Sequence, residues 1–159
     1  MKNSIYSALL ILLFFSLGAC SSSEDTQPKV PDGTLGTPGN PATAKPVGMV
    51  EVLRTGTFSS QSGSNTKGMI DLITDDGGSF FIKLGKDFNS SFHTGTVTIY
   101  LSTSSSLKLS EASSYQLVAV VNEGGEHYFK LPNFPDAKFS HGILWCGAAA
   151  IPFGFAALN

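Results

Sequence analysis

The chain is short of cysteine, with two in 159 residues, has a single tryptophan, and carries charge on only 14% of its positions. Two cysteines cannot build the dense disulfide framework of a small secreted scaffold. The 10 Lys and Arg are outnumbered by 12 Asp and Glu, and no basic run occurs, so no nucleic-acid partner is expected. Motifs that carry chemistry are missing too. There is no His-Glu-x-x-His, no Cys-x-x-Cys pair, no haem-attachment Cys-x-x-Cys-His, no Gly-x-Ser-x-Gly elbow and no phosphate loop. His93, His127 and His141 stand apart from one another in sequence, which gives a zinc site no local support. Asp75-Asp76 and Glu123/Glu126 lie at glycine turns, where carboxylates are usually solvated rather than catalytic.

What is present is 42% hydrophobic residues, 17 glycines and 12 phenylalanines, the composition of a folded, turn-rich domain. The first residues form an address. Lys2 supplies a positive start, Ala8 to Phe15 is an unbroken apolar run, and Leu17-Gly18-Ala19-Cys20 closes it. That run is shorter than the roughly 20 residues a membrane-spanning helix needs. Leu-x-x-Cys after such a run resembles the bacterial lipobox. Residues 1–19 therefore read as a lipoprotein signal peptide and Cys20 as the lipid-attachment residue, with several acyl chains holding the protein to a membrane it does not span. Ser21 in place of aspartate favours the outer membrane of the cell envelope, with the head facing the periplasm or the surface. Residues 20–46 form the lipidated start and a Pro/Gly/Ser-rich tether. Five of the eight prolines fall between Ser21 and Pro46, with no aromatic residue. Such a tether reaches between roughly 30 Å as a coil and about 80 Å when extended.

From Val47 to Asn159 the apolar residues alternate with period two. Phe80, Ile82 and Leu84 share one face, and Val97, Ile99 and Leu101 alternate with Thr98, Tyr100 and Ser102. Further strands are expected over residues 49–54, 69–74, 115–121, 127–131, 143–148 and 151–158. Asp75-Asp76-Gly77-Gly78 and Asn122-Glu123-Gly124-Gly125 predict two hairpins, and residues 107–112 could make one short turn of helix. The fold expected for 47–159 is all-β, an antiparallel sandwich or partly closed barrel of about 8–9 short strands.

Cys146 is the one sulfhydryl left once Cys20 is lipidated, so an intramolecular disulfide is excluded. It lies in the apolar stretch Gly142-Ile143-Leu144-Trp145-Cys146, which is compatible with a buried core residue. It is equally a residue that could serve as a redox thiol or as a thiolate ligand to haem or metal. Tyr128 and Trp145 could line a ligand pocket or relay an electron, yet large aromatics on alternating strands are more often core. Phe153 and Phe155 are expected in the core.

The same residues carry a family likeness. Ile143-Leu144-Trp145-Cys146, followed by Ile151-Pro152-Phe153-Gly154-Phe155-Ala156-Ala157-Leu158, resembles the C-terminal signature of the electron-transfer DM-thirteen domain, the module that accompanies DOMON domains in Skeletor-type matrix proteins. Gly56-Thr57-Phe58, Asp87-Phe88, the strand 97–102 and the segment Gly125 to Pro132 match earlier parts of its pattern in order. Gly95-Thr96 departs from it where Pro-Asp is usual, and Ala148-Ala149-Ala150 replaces bulkier residues, which would open room beside Cys146 or let a strand pack closely. The resemblance implies an all-β domain with an electron-transfer or thiol-redox role through Cys146, with Trp145, Tyr128 and His127 as further redox or ligand candidates. A haem or metal held through Cys146 and no cofactor at all are equal alternatives, and the partner would be an unidentified redox or binding protein. The rival expectation is a surface-displayed module that binds protein or glycan, with Cys146 a buried core residue. Both expectations describe a carrier or binding module more than a turnover enzyme.

Overall fold

The structure, a computed structural model, describes residues 44–93 and 95–159. The expected signal peptide 1–19, the expected lipid-attachment residue Cys20 and the expected tether up to residue 43 lie outside the described residues. No helix among those described is long and apolar enough to cross a membrane.

Nine strands form two antiparallel sheets: β1 Val50–Thr57, β2 Ser59–Ser60, β3 Met69–Asp75, β4 Phe80–Leu84, β5 Val97–Ser102, β6 Tyr115–Val121, β7 His127–Leu131, β8 His141–Cys146 and β9 Ile151–Ala157. The four-stranded sheet has the order β1-β3-β4-β7 and the five-stranded sheet β2-β9-β8-β5-β6, and they do not close into a barrel. The expected sandwich is therefore the observed one. The helical segment expected over 107–112 is reduced to a single 3-10 turn at Ala112–Ser114.

Alternation decides which residues the two sheets share. Ile70, Leu72, Ile82, Leu84, Phe129 and Leu131 come from the four-stranded sheet. Val97, Ile99, Leu101, Leu144, Cys146 and Phe153 meet them from the five-stranded one. Burying a side chain of this size contributes about 1.5–3 kcal/mol, so this layer is the main stabilising feature of the domain. The sheets approach closely at Gly142, where a built Cβ would lie 2.6 Å from Ile70 Cδ1 and would push that side chain aside.

The turn at residues 75–78 forms the expected hairpin. Asp75 Oδ1 accepts from Ser79 N at 2.9 Å, and Gly78 takes the positive φ of 70° that closes the turn. The turn also clamps the entering chain: Val47 N donates to Asp75 Oδ2 at 2.9 Å and Met49 N to Asp76 Oδ2 at 2.8 Å. Residues 122–125 behave differently from the expectation. They connect β6 to β7, which belong to different sheets, so this segment is a crossover and not a hairpin. Gly125 N donates to Phe88 O at 2.8 Å, and a Cβ at Gly124 would meet the same carbonyl at 2.8 Å. The glycines here serve a close pass over the Phe88 loop, and that pass carries the chain from one layer to the other.

Candidate functional site

β8 divides its side chains between two environments. Gly142, Leu144 and Cys146 point into the core, and His141, Ile143 and Trp145 point outward. Cys146 has no solvent-exposed surface and sits opposite Val97 of β5 and Ile151 of β9. The three alanines after it form the exposed loop of the β8–β9 hairpin, with Ala150 at φ 53°. Their exposure shows that no described strand packs on them.

The remaining sequence candidates are not gathered around that sulfur. Trp145 is half-buried on the outer face of the five-stranded sheet, opposite Thr98 and Pro152. Tyr128 lies on the outer face of the four-stranded sheet, opposite Lys83. Burial pushes its phenol above the ordinary 10.0, and Glu126 adds to the shift. His127 is at the rim of the core, stacked on Phe129 with ring centroids 5.8 Å apart and edge-on to Phe88 at 6.4 Å; its Nε2 is 3.1 Å from Glu123 O. Tyr128 and Trp145 thus stand on opposite sides of the sandwich, separated by two sheets whose backbones pack about 10 Å apart. Among the described residues there is no group of three or more His, Cys, Asp or Glu side chains that could hold a metal ion.

What the fold does assemble is an aromatic outer face on the five-stranded sheet. Tyr100 and Phe155 are the cross-strand neighbours of Ile143 on either side. Ile143 is fully buried although it points away from the core, whereas the two rings beside it remain partly exposed. Trp145 lies one row above Ile143 and His141 one row below it on β8. Tyr115 meets Tyr100 edge-on at 5.8 Å, and His141 lies 6.4 Å from Phe155. The Ser140 hydroxyl is 2.9 Å from His141 Nδ1 and holds that imidazole in place. Burial pushes the Tyr100 phenol above 10.0, with Tyr115 as the secondary cause, so it remains a neutral hydrogen-bond donor through the physiological range.

Two bulges build this face. The pairing of β8 with β9 shifts register between Leu144 and Trp145, which leaves Phe153 as the extra residue. Phe153 enters the core as expected. Phe155, two residues on, is turned outward, which corrects the assignment of both to one face. A second shift, where Ile99 pairs with Ala119 but Tyr100 with Leu117, sends Leu117 outward beside Tyr100. A bulge changes the face of everything beyond it, and strict alternation does not reveal one. The signal that could have found the first is Gly154 between two phenylalanines, since glycine inside a strand often marks such an irregularity.

No family model, no curated protein and no solved structure matches this chain. The face therefore has to be interpreted from its own chemistry. None of the five strands contains Asp, Glu, Lys or Arg. The strands of the four-stranded sheet carry Glu51, Arg54, Asp71, Asp75, Lys83 and Lys130. The strands of one sheet are free of Asp, Glu, Lys and Arg and rich in aromatics, and those of the other are mixed in charge.

Proposed function

We propose that this domain is a binding module whose ligand lies on the outer face of the five-stranded sheet, displayed at the cell envelope by a lipid anchor at Cys20. The observation that carries the reading is the set of partly exposed rings of Tyr100, Tyr115, His141, Trp145 and Phe155 on one charge-free sheet face. The largest apolar patch of a soluble domain, a few hundred Å², is often functional, and aromatic residues supply contact area at low cost in side-chain entropy. The electron-transfer role implied by the DM-thirteen resemblance asks more of Cys146. Thiol exchange needs an accessible thiolate, whereas this residue has no solvent-exposed surface. The binding reading asks of it only that it fill the core.

Trp145 is the sole tryptophan, so the face carries its own reporter. Envelope material separated into neutral polysaccharide, anionic polymer and protein fractions is added to the purified full chain, and acrylamide quenching of Trp145 emission is followed. At least one fraction is expected to shield the indole, and Tyr100→Ala is expected to abolish the shielding. Quenching that stays the same with every fraction would remove the basis of the binding reading.

A further inference from the structure

We infer that the ligand of this face is a neutral, extended glycan chain, an assignment that rests on the binding-face reading above and narrows it. Three features of the surface converge on this class. The first is charge. With no Asp, Glu, Lys or Arg in any of its five strands, the sheet offers a phosphate, a sulfate, a uronic acid or a lipid headgroup no counter-charge beyond the His141 imidazole, and the Lys108–Glu111 pair in the loop beside Tyr115 neutralises itself. The second is area. Four strands about 4.8 Å apart and about 20 Å long present on the order of 300–400 Å², well below the roughly 800 Å² per partner that a stable protein–protein interface buries. A chain of a few sugar rings fits that footprint.

The third is the mixture of groups. The faces of pyranose rings present C–H bonds, which are attracted to the electron-rich face of an aromatic ring, and their edges carry hydroxyls that need donors and acceptors. Tyr100 and Phe155 flank Ile143 about two strand spacings, or roughly 10 Å, apart, and Trp145 lies diagonally about 7–8 Å from each. Measured along the backbone, these three positions are one to two sugar units apart. Phenol and imidazole groups stand among them: Tyr115 Oη is 3.5 Å from Leu109 O, and the His141 ring is held by Ser140. The rings stand along the outer side of an open sheet. That arrangement suits the side of an extended chain and not the enclosed end of a small molecule.

The test uses affinity electrophoresis of the full chain through gels containing soluble β-glucan, xylan or galactomannan, with acrylamide quenching of Trp145 as a second readout. At least one of these polysaccharides is expected to retard the protein and shield the indole. Trp145→Ala and Phe155→Ala should each weaken retardation by about tenfold or more, the scale of a central contact residue. Tyr128→Ala, on the opposite face, should leave it unchanged. If a variant fails to fold, shielding of Trp145 in the unmodified protein still decides. Shielding by the protein or anionic fraction, with none by any neutral polysaccharide, overturns the glycan assignment while leaving a binding face. No shielding by any fraction overturns both.

Discussion

Trp145 and Cys146 are adjacent in sequence and opposite in environment, the indole half exposed on the outer face and the sulfur enclosed by the core. Exchanging that sulfur for a hydroxyl at a site with no solvent exposure leaves a polar group to be satisfied inside an apolar layer. Cys146→Ser is therefore expected to lower stability by about 1–3 kcal/mol in urea unfolding, and an aromatic disulfide reagent should label the native protein only as fast as it unfolds. Rapid labelling of the folded chain would contradict this packing and return the thiol to consideration as a reactive group. Both residues are legible in the sequence as candidates, because a lone tryptophan and the last sulfhydryl stand out by rarity. Tyr100 and Phe155 are not. Tyr100 alternates with Thr98 and Ser102 in a pattern that reads simply as solvent-facing, and Phe155 shares its parity with Phe153 until the bulge intervenes. Which side a ring takes depends on pairing between strands, and that information is not local.

At the level of strands, period-two alternation locates β4, β5, β6 and β7 at their observed limits, although Phe81, Thr98 and Ser102 on the outer faces of β4 and β5 are buried as well. The two-residue β2 is too short to leave any periodic trace. Residues 122–125 mislead because a glycine turn closes a hairpin and rounds a corner between layers with the same residue types. Where β1 passes β9, Gly56 permits the contact: a Cβ there would lie 2.4 Å from the Ala157 carbonyl, a backbone atom that cannot swing aside. Gly56→Ala should cost about 1–3 kcal/mol through overpacking, measured by urea unfolding, whereas Thr57→Ala at the exposed next position should stay within about 0.5 kcal/mol. The β3–β4 turn has a pH signature. Backbone donors from Val47, and then Ser79, hold the Asp75 carboxyl below its ordinary 3.8. A lowered carboxylate pKa contributes stability above the unfolded value and loses it as pH falls through the folded one. Asp75→Asn is expected to melt below the unmodified protein at pH 7, and the difference should shrink as pH falls below about 4. A gap that is constant down to pH 2 would show that the clamp acts by shape and not by charge.

Over the whole molecule, the confinement of strand charge to the four-stranded sheet sets how the two faces answer to salt. Interactions between exposed charges fade beyond a Debye length, about 10 Å at 0.1 M and about 3 Å at 1 M, whereas contacts between neutral rings and sugar C–H groups do not. Retardation by a neutral polysaccharide should therefore persist at high salt. A loss of about tenfold between 0.05 and 1 M sodium chloride would point to ionic contacts elsewhere on the surface.

The clamp at Val47 and Met49 also has a mechanical side. Any pull arriving from the residues that precede it meets the bonds to Asp75 and Asp76 before it reaches Val50, the first paired residue of β1. Drag on a polymer bound as proposed would load this small latch first. Breaking its two bonds leaves in place the β1–β3 pairing, which starts at Val50.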